Sequence, residues 1–250
     1  MGIIRYLLTG IFFLGYMAYA PFFVRGVLKR TGEERENYIK LHVGRWGRRS
    51  FSLPKSKVHI SGLENKPQKG PYIIVANHRS MLDITLIQGY VNAHAGFIAK
   101  KELGKFFTVG QFLKILGGEL IDRENPRDAV VAIDNMIRKM KEEGQVIAIF
   151  PEGTRSTDGQ VHEFKIGSMK IVTKAKVPIL PIAISGTEKS MPKGSVYIKK
   201  ADIYLSIMPV VKPETFDKWD SKMLSEFLRN MLIDELKKIE GGELIERGKG

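Results

Sequence analysis

The sequence predicts an α/β fold, a mostly parallel β-sheet flanked by helices, preceded by a two-helix element at the N-terminus. Short β-branched runs, several of them nearly all apolar, follow residue 54 and are typical of strands covered on both faces. Helical patterns lie between these runs, and the alternation of strand with helix favours a parallel sheet. In such a sheet, sites form where strands end and helices begin.

The composition fits one principal folded unit. The chain has 250 residues, of which 43% are hydrophobic and 27% charged, so there is enough apolar material for one sizeable core. Cysteine is absent, which excludes disulfides and thiolate metal sites. The net charge of +13 implies an anionic partner, drawn from nucleic acid, an acidic membrane surface, an acidic protein and a phosphorylated substrate.

Residues 6–24 form a run of 19 residues without a charge, near the length that a helix needs to span a bilayer. Four interpretations are open: a secretory signal, a single span, an interfacial anchor bent at Pro21, and a buried core helix. A signal is disfavoured because Pro21, Phe22 and Phe23 occupy the place of the small residues at a cleavage site. A core helix is disfavoured because apolar residues surround this helix on every side.

An interfacial anchor is favoured over a span because the basic segment that follows is unusually long. Residues 33–53 predict a second helix, whose Arg and Lys side chains could meet anionic headgroups. We expect residues 1–53 to dock as a hairpin on the cytoplasmic face of a cell inner membrane or plasma membrane, ahead of an α/β domain over residues 54–250. The expected anchor residues are Tyr6, Phe12, Phe13, Tyr16, Phe22, Phe23, Arg25, Lys29 and Arg30.

The strands are predicted from short apolar runs and the helices from longer periodic ones. Strands are expected at residues 57–61, 72–76, 97–99, 120–121, 146–150, 179–184 and 201–211. The last of these alternates more than the others and is predicted to be an edge strand. Helices are expected at residues 82–92, 108–116, 126–143, 167–175 and 221–240.

A histidine and a carboxylate follow the second predicted strand, at His78 and Asp83. With Ser80 as the helix N-cap, His78 lies in the loop and Asp83 in the first turn, so the carboxylate can reach back to the imidazole. A carboxylate on one ring nitrogen fixes the tautomer and leaves the other nitrogen to accept a hydroxyl proton. Ser80 and Asp83 also form a capping-box pattern, so the alternative is that Asp83 only closes the helix.

Three further segments accompany this pair. Residues 150–156 follow a strand and combine a glycine with Thr154, Ser156 and Arg155, whose guanidinium offers a bidentate fork for phosphate. An ordinary surface turn is the alternative. Residues 117–123 place Arg123 after a short strand, where an ion pair is about as plausible as a ligand contact. Residues 177–181 are apolar and predict a strand entry that shapes a pocket wall.

In this order and at these separations, the four segments resemble the motifs of the glycerolipid acyltransferase family, most closely its bacterial 1-acyl-sn-glycerol-3-phosphate acyltransferases, over residues 61–184. The resemblance implies the fold of that family and a catalytic role for His78 and Asp83. It also implies that the acceptor phosphate is bound by Arg123, Glu152, Gly153, Thr154, Arg155, Lys101 and Lys105. Glu119 stands where the family has an apolar residue.

The resemblance implies direct acyl transfer, with His78 deprotonating the free hydroxyl of lysophosphatidic acid as that hydroxyl attacks a thioester. The product is phosphatidic acid. The donor is acyl-ACP or acyl-CoA, and neither a metal nor a cofactor is expected. Glycerol-3-phosphate or another lysophospholipid is the alternative acceptor.

Three other classes of protein compete with this interpretation. A nucleic-acid binder is disfavoured because the basic residues cluster beside an apolar segment and the sequence shows no nucleic-acid motif. A serine hydrolase is disfavoured because no Gly-x-Ser-x-Gly elbow occurs. A non-catalytic, basic membrane-binding protein is the third alternative, and only a test of activity separates it.

Overall fold

The computed structural model describes residues 2–105, 107–122, 125–195 and 197–241. Its centre is a seven-stranded sheet, and two buried apolar clusters lie against it. The strands are β1 (Lys57–Ser61), β2 (Tyr72–Ala76), β3 (Gly96–Lys100), β4 (Glu119–Ile121), β5 (Val146–Ile149), β6 (Ile179–Ser185) and β7 (Asp202–Ile207). Strands β2, β5 and β6 are buried along their whole length, as expected of strands covered on both faces.

The strand order is β1-β7-β6-β2-β5-β3-β4. All neighbours pair in parallel except β6 and β7, which are antiparallel. The prediction that residues 201–211 form an edge strand is wrong, because β7 lies between β1 and β6. The alternation along β7 arises because Asp202 and Tyr204 remain accessible near the start of the strand, whereas its later residues are buried.

The helices surround this sheet close to the predicted positions. After α1 (Gly2–Leu28) and α2 (Gly32–Ser52) come α3 (Leu82–Leu86), α4 (Phe107–Ile115), α5 (Pro126–Glu143), α6 (Ile166–Ala175), α7 (Thr187–Ser190), α8 (Pro213–Phe216) and α9 (Ser221–Glu240). A π-helical turn, Ile87–Val91, extends α3. Asn125 and Asp220 cap α5 and α9, each accepting hydrogen bonds from two backbone N–H groups of the first turn.

The N-terminal hairpin has an inner and an outer side. Phe23 and Val27 of α1 are fully buried against Ile39 and Val43 of α2. The expectation that Phe23 contacts the membrane is therefore wrong, whereas its neighbour Phe22 is 70% exposed. Tyr6 lies outside the described side chains.

Other predicted anchor residues divide between the two sides of the hairpin. Arg25 and Lys29 are exposed as expected. Arg30 instead pairs with Glu34 and lies over the ring of Tyr38. The side chain of Phe13 is outside the described part. Pro21 lies inside α1 and does not end it.

Helix α2 also packs into the α/β body. Phe51 is fully buried in the apolar cluster that contains Leu82 and Leu86. The close approach depends on glycine, because a Cβ at Gly47 would stand 2.6 Å from Gly89. The expected division at residue 53 therefore does not coincide with a break in the packing.

Strands β2, β5, β3 and β4 are adjacent and parallel, so their carboxyl ends meet at one edge of the sheet. His78 follows β2, residues 151–156 follow β5, and Asp122 follows β4 at this edge. The fold therefore collects segments that are far apart in sequence.

Candidate active site

The loop after β2 is fixed to the neighbouring strand by Asn77. Its side-chain amide donates to the carbonyl of Ile184 at 2.9 Å and accepts from the N–H of the same residue at 2.8 Å. Asn77 is buried, so this pair of hydrogen bonds satisfies its polar atoms and holds the chain as it leaves the sheet. The next residue, His78, is thereby held at the carboxyl edge.

His78 and Asp83 are in contact, as their spacing predicts. The Nδ1 atom of His78 lies 2.8 Å from Oδ2 of Asp83. The carboxylate is fully buried and the imidazole 14% exposed, and Nε2 of His78 has no hydrogen-bond partner among the described residues. An N–H at Nδ1 donating to the carboxylate leaves Nε2 as the free acceptor, which is the arrangement of a general base.

Asp83 also closes the start of the helix, so the two interpretations of this residue are compatible. Its Oδ2 accepts from the backbone N–H groups of Arg79 at 2.7 Å and Ser80 at 2.8 Å. Its Oδ1 accepts from the Thr187 hydroxyl at 2.6 Å. Met81, one residue later than the predicted Ser80, stands at the N-cap position of α3, but the Ser80 hydroxyl still accepts from the N–H of Leu82 at 3.3 Å and donates to the Met191 carbonyl.

The loop after β5 encloses the histidine. The ring of Phe150 stacks on that of His78 with centroids 4.1 Å apart. The backbone N–H of Ser156 donates to the carbonyl of His78 at 2.8 Å. These contacts bring the second predicted motif directly against the first, so both contribute to one site.

Glu152 holds this loop and does not face a ligand. Its two oxygens accept from the backbone N–H groups of His78 at 2.8 Å and His162 at 3.1 Å. Burial raises the pKa of this carboxyl, and the two backbone hydrogen bonds oppose the rise. This geometry contradicts the predicted contact of Glu152 with phosphate. The carboxyl is buried, both of its oxygens are already hydrogen-bonded, and a carboxylate has no N–H or O–H to donate to an anion.

The remaining residues of this loop are better placed for an anion. Gly153 has a φ of +71°, which favours glycine, and its N–H donates to the carbonyl of Phe150. Arg155 is half-buried and makes no ion pair with any residue that the structure describes, and Thr154 is exposed. Arg155 precedes Ser156 and is therefore one residue from a direct hydrogen bond to His78.

Other predicted cations follow β3 and β4. Lys101 and Lys105 begin and end a 3-10 helix, Lys101–Lys105, directly after β3, and both are exposed. Lys101 forms an ion pair with Asp122 at 3.3 Å. Arg123 lies outside the described residues. Neither lysine is in direct contact with His78, and the fold brings them only to the same edge.

Besides Asn77, two further contributors to the site were not predicted. Thr187 is the donor to Asp83, and Arg79 is buried with its guanidinium bonded to Ser185, the Gly159 carbonyl and Glu240. A signal for Arg79 was available, since four consecutive polar residues after an apolar strand, residues 77–80, indicate more than one fixed side chain. Nothing in the sequence near Thr187 indicates its partner.

The arrangement can remove a proton from a hydroxyl group and then stabilise the resulting imidazolium through Asp83. Within the described ranges, no group of three or more His, Asp or Glu side chains is arranged to hold a metal ion.

The chain is similar to known acyltransferases. Residues 57–185 match the family model described as Acyltransferase. The crystal structure of the 1-acyl-sn-glycerophosphate (LPA) acyltransferase PlsC of Thermotoga maritima superposes with a TM-score of 0.83 and 33% identity, covering 96% of this chain and 98% of that one.

Two relatives are named 1-acyl-sn-glycerol-3-phosphate acyltransferase. The one from Cocos nucifera is 29% identical over 76% of this chain and 61% of its own length. The one from Borreliella burgdorferi is 28% identical over 76% of each chain. The family match extends over half of the chain, from β1 to the end of β6, and includes both His78 and the loop after β5. The chain belongs to the acyltransferase family.

Proposed function

We propose that this protein transfers a fatty-acyl group from a thioester to the sn-2 hydroxyl of 1-acyl-glycerol-3-phosphate, giving phosphatidic acid. The observation that carries the proposal is the 2.8 Å contact between His78 Nδ1 and the buried Asp83 carboxylate, with Nε2 free. The names of the relatives support the acceptor. The donor is a thioester of acyl carrier protein or coenzyme A, both of which are anionic and suit a chain of net charge +13.

In the proposed reaction, Nε2 of His78 takes the hydroxyl proton while the oxygen attacks the thioester carbonyl. Asp83 stabilises the imidazolium through Nδ1–H. When the tetrahedral intermediate collapses, the carbon–sulfur bond breaks and the thiolate leaves. The imidazolium then returns the proton to that thiolate, so the protein ends the cycle unchanged.

The acceptor phosphate is proposed to bind beyond His78 along the same sheet edge. Arg155 follows β5, the strand next to β2, and Lys101 and Lys105 follow β3 one strand further away. Adjacent strands are about 4.8 Å apart, so these cations follow one another across the edge at steps of that order. A phosphate held there orients the attached glycerol, and such positioning is a large part of catalysis.

The hairpin is proposed to dock on the cytoplasmic face of a membrane. Leu7, Ile11, Leu14 and Phe22 form an exposed apolar stripe on one face of α1. Arg25 and Lys29 continue that face and can meet anionic headgroups. By length and composition alone, residues 10–28 could also cross a membrane. Interfacial docking is preferred because part of this helix is buried against α2.

The proposal is tested by incubating the purified full chain with acyl carrier protein and coenzyme A thioesters and a panel of acceptors, with products identified by mass. The panel contains 1-acyl-glycerol-3-phosphate, glycerol-3-phosphate and lysophospholipids with larger headgroups. The His78→Ala variant is expected to lower kcat by about 10² to 10⁴-fold, the usual contribution of a positioned base. Free fatty acid as the product in place of acylated acceptor would contradict the proposal.

Asp83→Asn separates orientation of the histidine from helix closure. Asparagine is a good N-terminal cap and keeps one acceptor oxygen, but it lacks the second acceptor and the charge that stabilises the imidazolium. We expect folding to survive and kcat to fall nearly as far as in His78→Ala. A variant with normal kcat would limit Asp83 to a structural role.

A further inference from the structure

A groove of about 440 Å³ lies between α1 and α2, outside the loops that form the candidate active site. Gly15, Tyr16 and Tyr19 line it from α1, and Arg45, Trp46 and Arg49 line it from α2. Its floor is aromatic, because the rings of Tyr16 and Trp46 stack with centroids 4.5 Å apart and planes 15° apart. The groove therefore joins an apolar surface to two cationic side chains.

Two polar atoms of this groove are buried without a hydrogen-bond partner in the described part of the chain. They are the hydroxyl of Tyr16 and the indole N–H of Trp46. A buried donor left unsatisfied destabilises a protein, so native structures seldom leave one without a partner. Two such groups in the walls of one groove leave it with unused capacity to donate hydrogen bonds.

The charge of the groove selects an anion. Arg45 and Arg49 lie one turn apart on α2, are exposed, and make no ion pair with any described residue. Guanidinium groups bind phosphate oxygens with two parallel hydrogen bonds. His42 also lines the groove, where burial first and the nearby Arg45 and Arg30 charges second lower its pKa. A bound anion would offset the repulsion between Arg45 and Arg49.

The groove lies beside the exposed apolar stripe of α1, which indicates that its occupant also carries acyl chains. Successive helical residues are about 100° apart, so Gly15 and Tyr19 lie on the part of α1 next to the exposed stripe that contains Ile11, Leu14 and Phe22. No atom lies within 4 Å of a Cβ built on Gly15, so the groove is open on this side. An occupant can thus bind the arginines while its chains lie along the apolar stripe.

We propose that the groove between α1 and α2 binds one membrane phospholipid with an anionic headgroup. The phosphate lies between Arg45 and Arg49, the side chains of Tyr16 and Trp46 turn to donate to its oxygens or to the adjoining esters, and the acyl chains continue into the bilayer. The site gives the hairpin a lipid preference that apolar contact and diffuse charge cannot supply. It rests on the docking proposed above but not on the acyl-transfer reaction.

The fluorescence of Trp46 can report on the occupant of the groove. The chain has one other tryptophan, Trp219, which packs against Phe227 of α9. Trp46 fluorescence is measured in the Trp219→Phe variant on two kinds of vesicle. The first is phosphatidylcholine with a small fraction of phosphatidylglycerol that is brominated on its acyl chains. The second is phosphatidylglycerol with the same fraction of brominated phosphatidylcholine. Bromine quenches tryptophan only at short range. Both lipids carry a phosphate, but Arg45 and Arg49 repel the choline cation of phosphatidylcholine, so we expect the brominated phosphatidylglycerol to be favoured about tenfold.

Two pairs of variants separate a discrete site from general attraction. Arg45→Gln with Arg49→Gln should abolish the preference, whereas Lys55→Gln with Lys57→Gln removes the same charge at exposed residues outside the groove and the docking face and should keep it. Gly15→Phe should fill the groove and abolish the preference. Gly10→Phe is its control, since a Cβ there also meets open space and the residue does not line the groove.

Vesicle sedimentation of each variant separates loss of the site from loss of docking. Docked protein with equal quenching by both brominated lipids would overturn the lipid site and leave docking intact, and so would equal losses in the two charge variants. Wild-type protein that fails to sediment with anionic vesicles would overturn docking and the site together.

Discussion

At the scale of single residues, the Asp83 carboxylate accepts from four described donors, and both of its oxygens are engaged. Three of these donors lie within five residues, which is why the sequence was sufficient to predict the contact with His78. The fourth donor, Thr187, is 104 residues away. It reaches Asp83 only because β6, which precedes it, pairs with β2, and no local pattern contains that information.

Replacing Thr187 with valine tests how far this distant donor positions the pair. The change removes a hydrogen bond to a buried carboxylate, so the free energy of unfolding should fall by about 1.5 to 3 kcal/mol. We expect kcat to fall and acceptor KM to stay the same, because Asp83 loses a fixed orientation. Thr187→Ser keeps the hydroxyl and should restore kcat. Equal losses of kcat in both variants would show that the hydroxyl alone does not position Asp83.

Glu152→Gln tests whether this residue positions the loop. Glutamine has one acceptor oxygen where glutamate has two, so the N–H of His78 or of His162 loses its partner, at a cost of about 1 to 3 kcal/mol. The expected result is a lower kcat with unchanged acceptor KM. Glu163→Gln, at an exposed neighbour, is the matched control. A selective change in acceptor KM would restore Glu152 to the phosphate site.

The pH dependence of stability should show the raised pKa of Glu152. The folded protein holds this proton more tightly than the unfolded chain does, so the contribution to stability is fully present below the ordinary pKa of 4.5. It is lost as pH rises through the raised value. The stability of wild type minus that of Glu152→Gln, from urea unfolding at several pH values, should therefore decrease over this range. An increase would mean that the two backbone hydrogen bonds outweigh burial.

At the scale of elements, the site depends on four parallel strands ending at one edge. The strands themselves were predictable because buried parallel strands are nearly all apolar, and β1 and β2 were predicted to the residue. Their order was not, since a strand such as β7 has the same local pattern at an edge or inside. Its interior place follows from pairing with β1 across about 145 residues of sequence.

This order leads to a prediction for Arg155, which follows the strand next to β2. Removing its guanidinium in Arg155→Ala should weaken binding of the acceptor phosphate by about 1.5 to 3 kcal/mol, or roughly 10 to 150-fold in KM. Donor KM should change little. Arg155→Lys keeps the charge without the bidentate fork, so its acceptor KM should lie between those of wild type and Arg155→Ala. Equal increases in both KM values would remove Arg155 from the acceptor site.

At the scale of the whole molecule, the hairpin is both part of the core and the outward surface of the protein. Phe51 and Gly47 pack α2 against α3 and the π-helical turn, whereas Phe22 and Leu14 of α1 face outward. The sequence predicted the outward side, because the uncharged apolar run at residues 6–24 and the basic segment after it are recognisable without a structure. It did not predict the inward side, because α2 is mostly polar and basic, and the few small and aromatic residues that pack against the α/β body form no clear pattern in the sequence.

Two phenylalanines of the hairpin should therefore separate folding from membrane binding. Phe51→Ala removes a fully buried ring and should lower the free energy of unfolding by about 3 to 5 kcal/mol, while the folded fraction still sediments with anionic vesicles. Phe22→Ala removes a ring that is 70% exposed and should leave stability within about 0.5 kcal/mol. It should weaken partition to vesicles by at most about 1.5 to 3 kcal/mol, the gain from burying one such side chain. Urea unfolding and vesicle sedimentation give the two readouts. If Phe22→Ala sediments like wild type while Phe51→Ala does not, the outward face of α1 is not the docking surface, and the contact must be sought on α2.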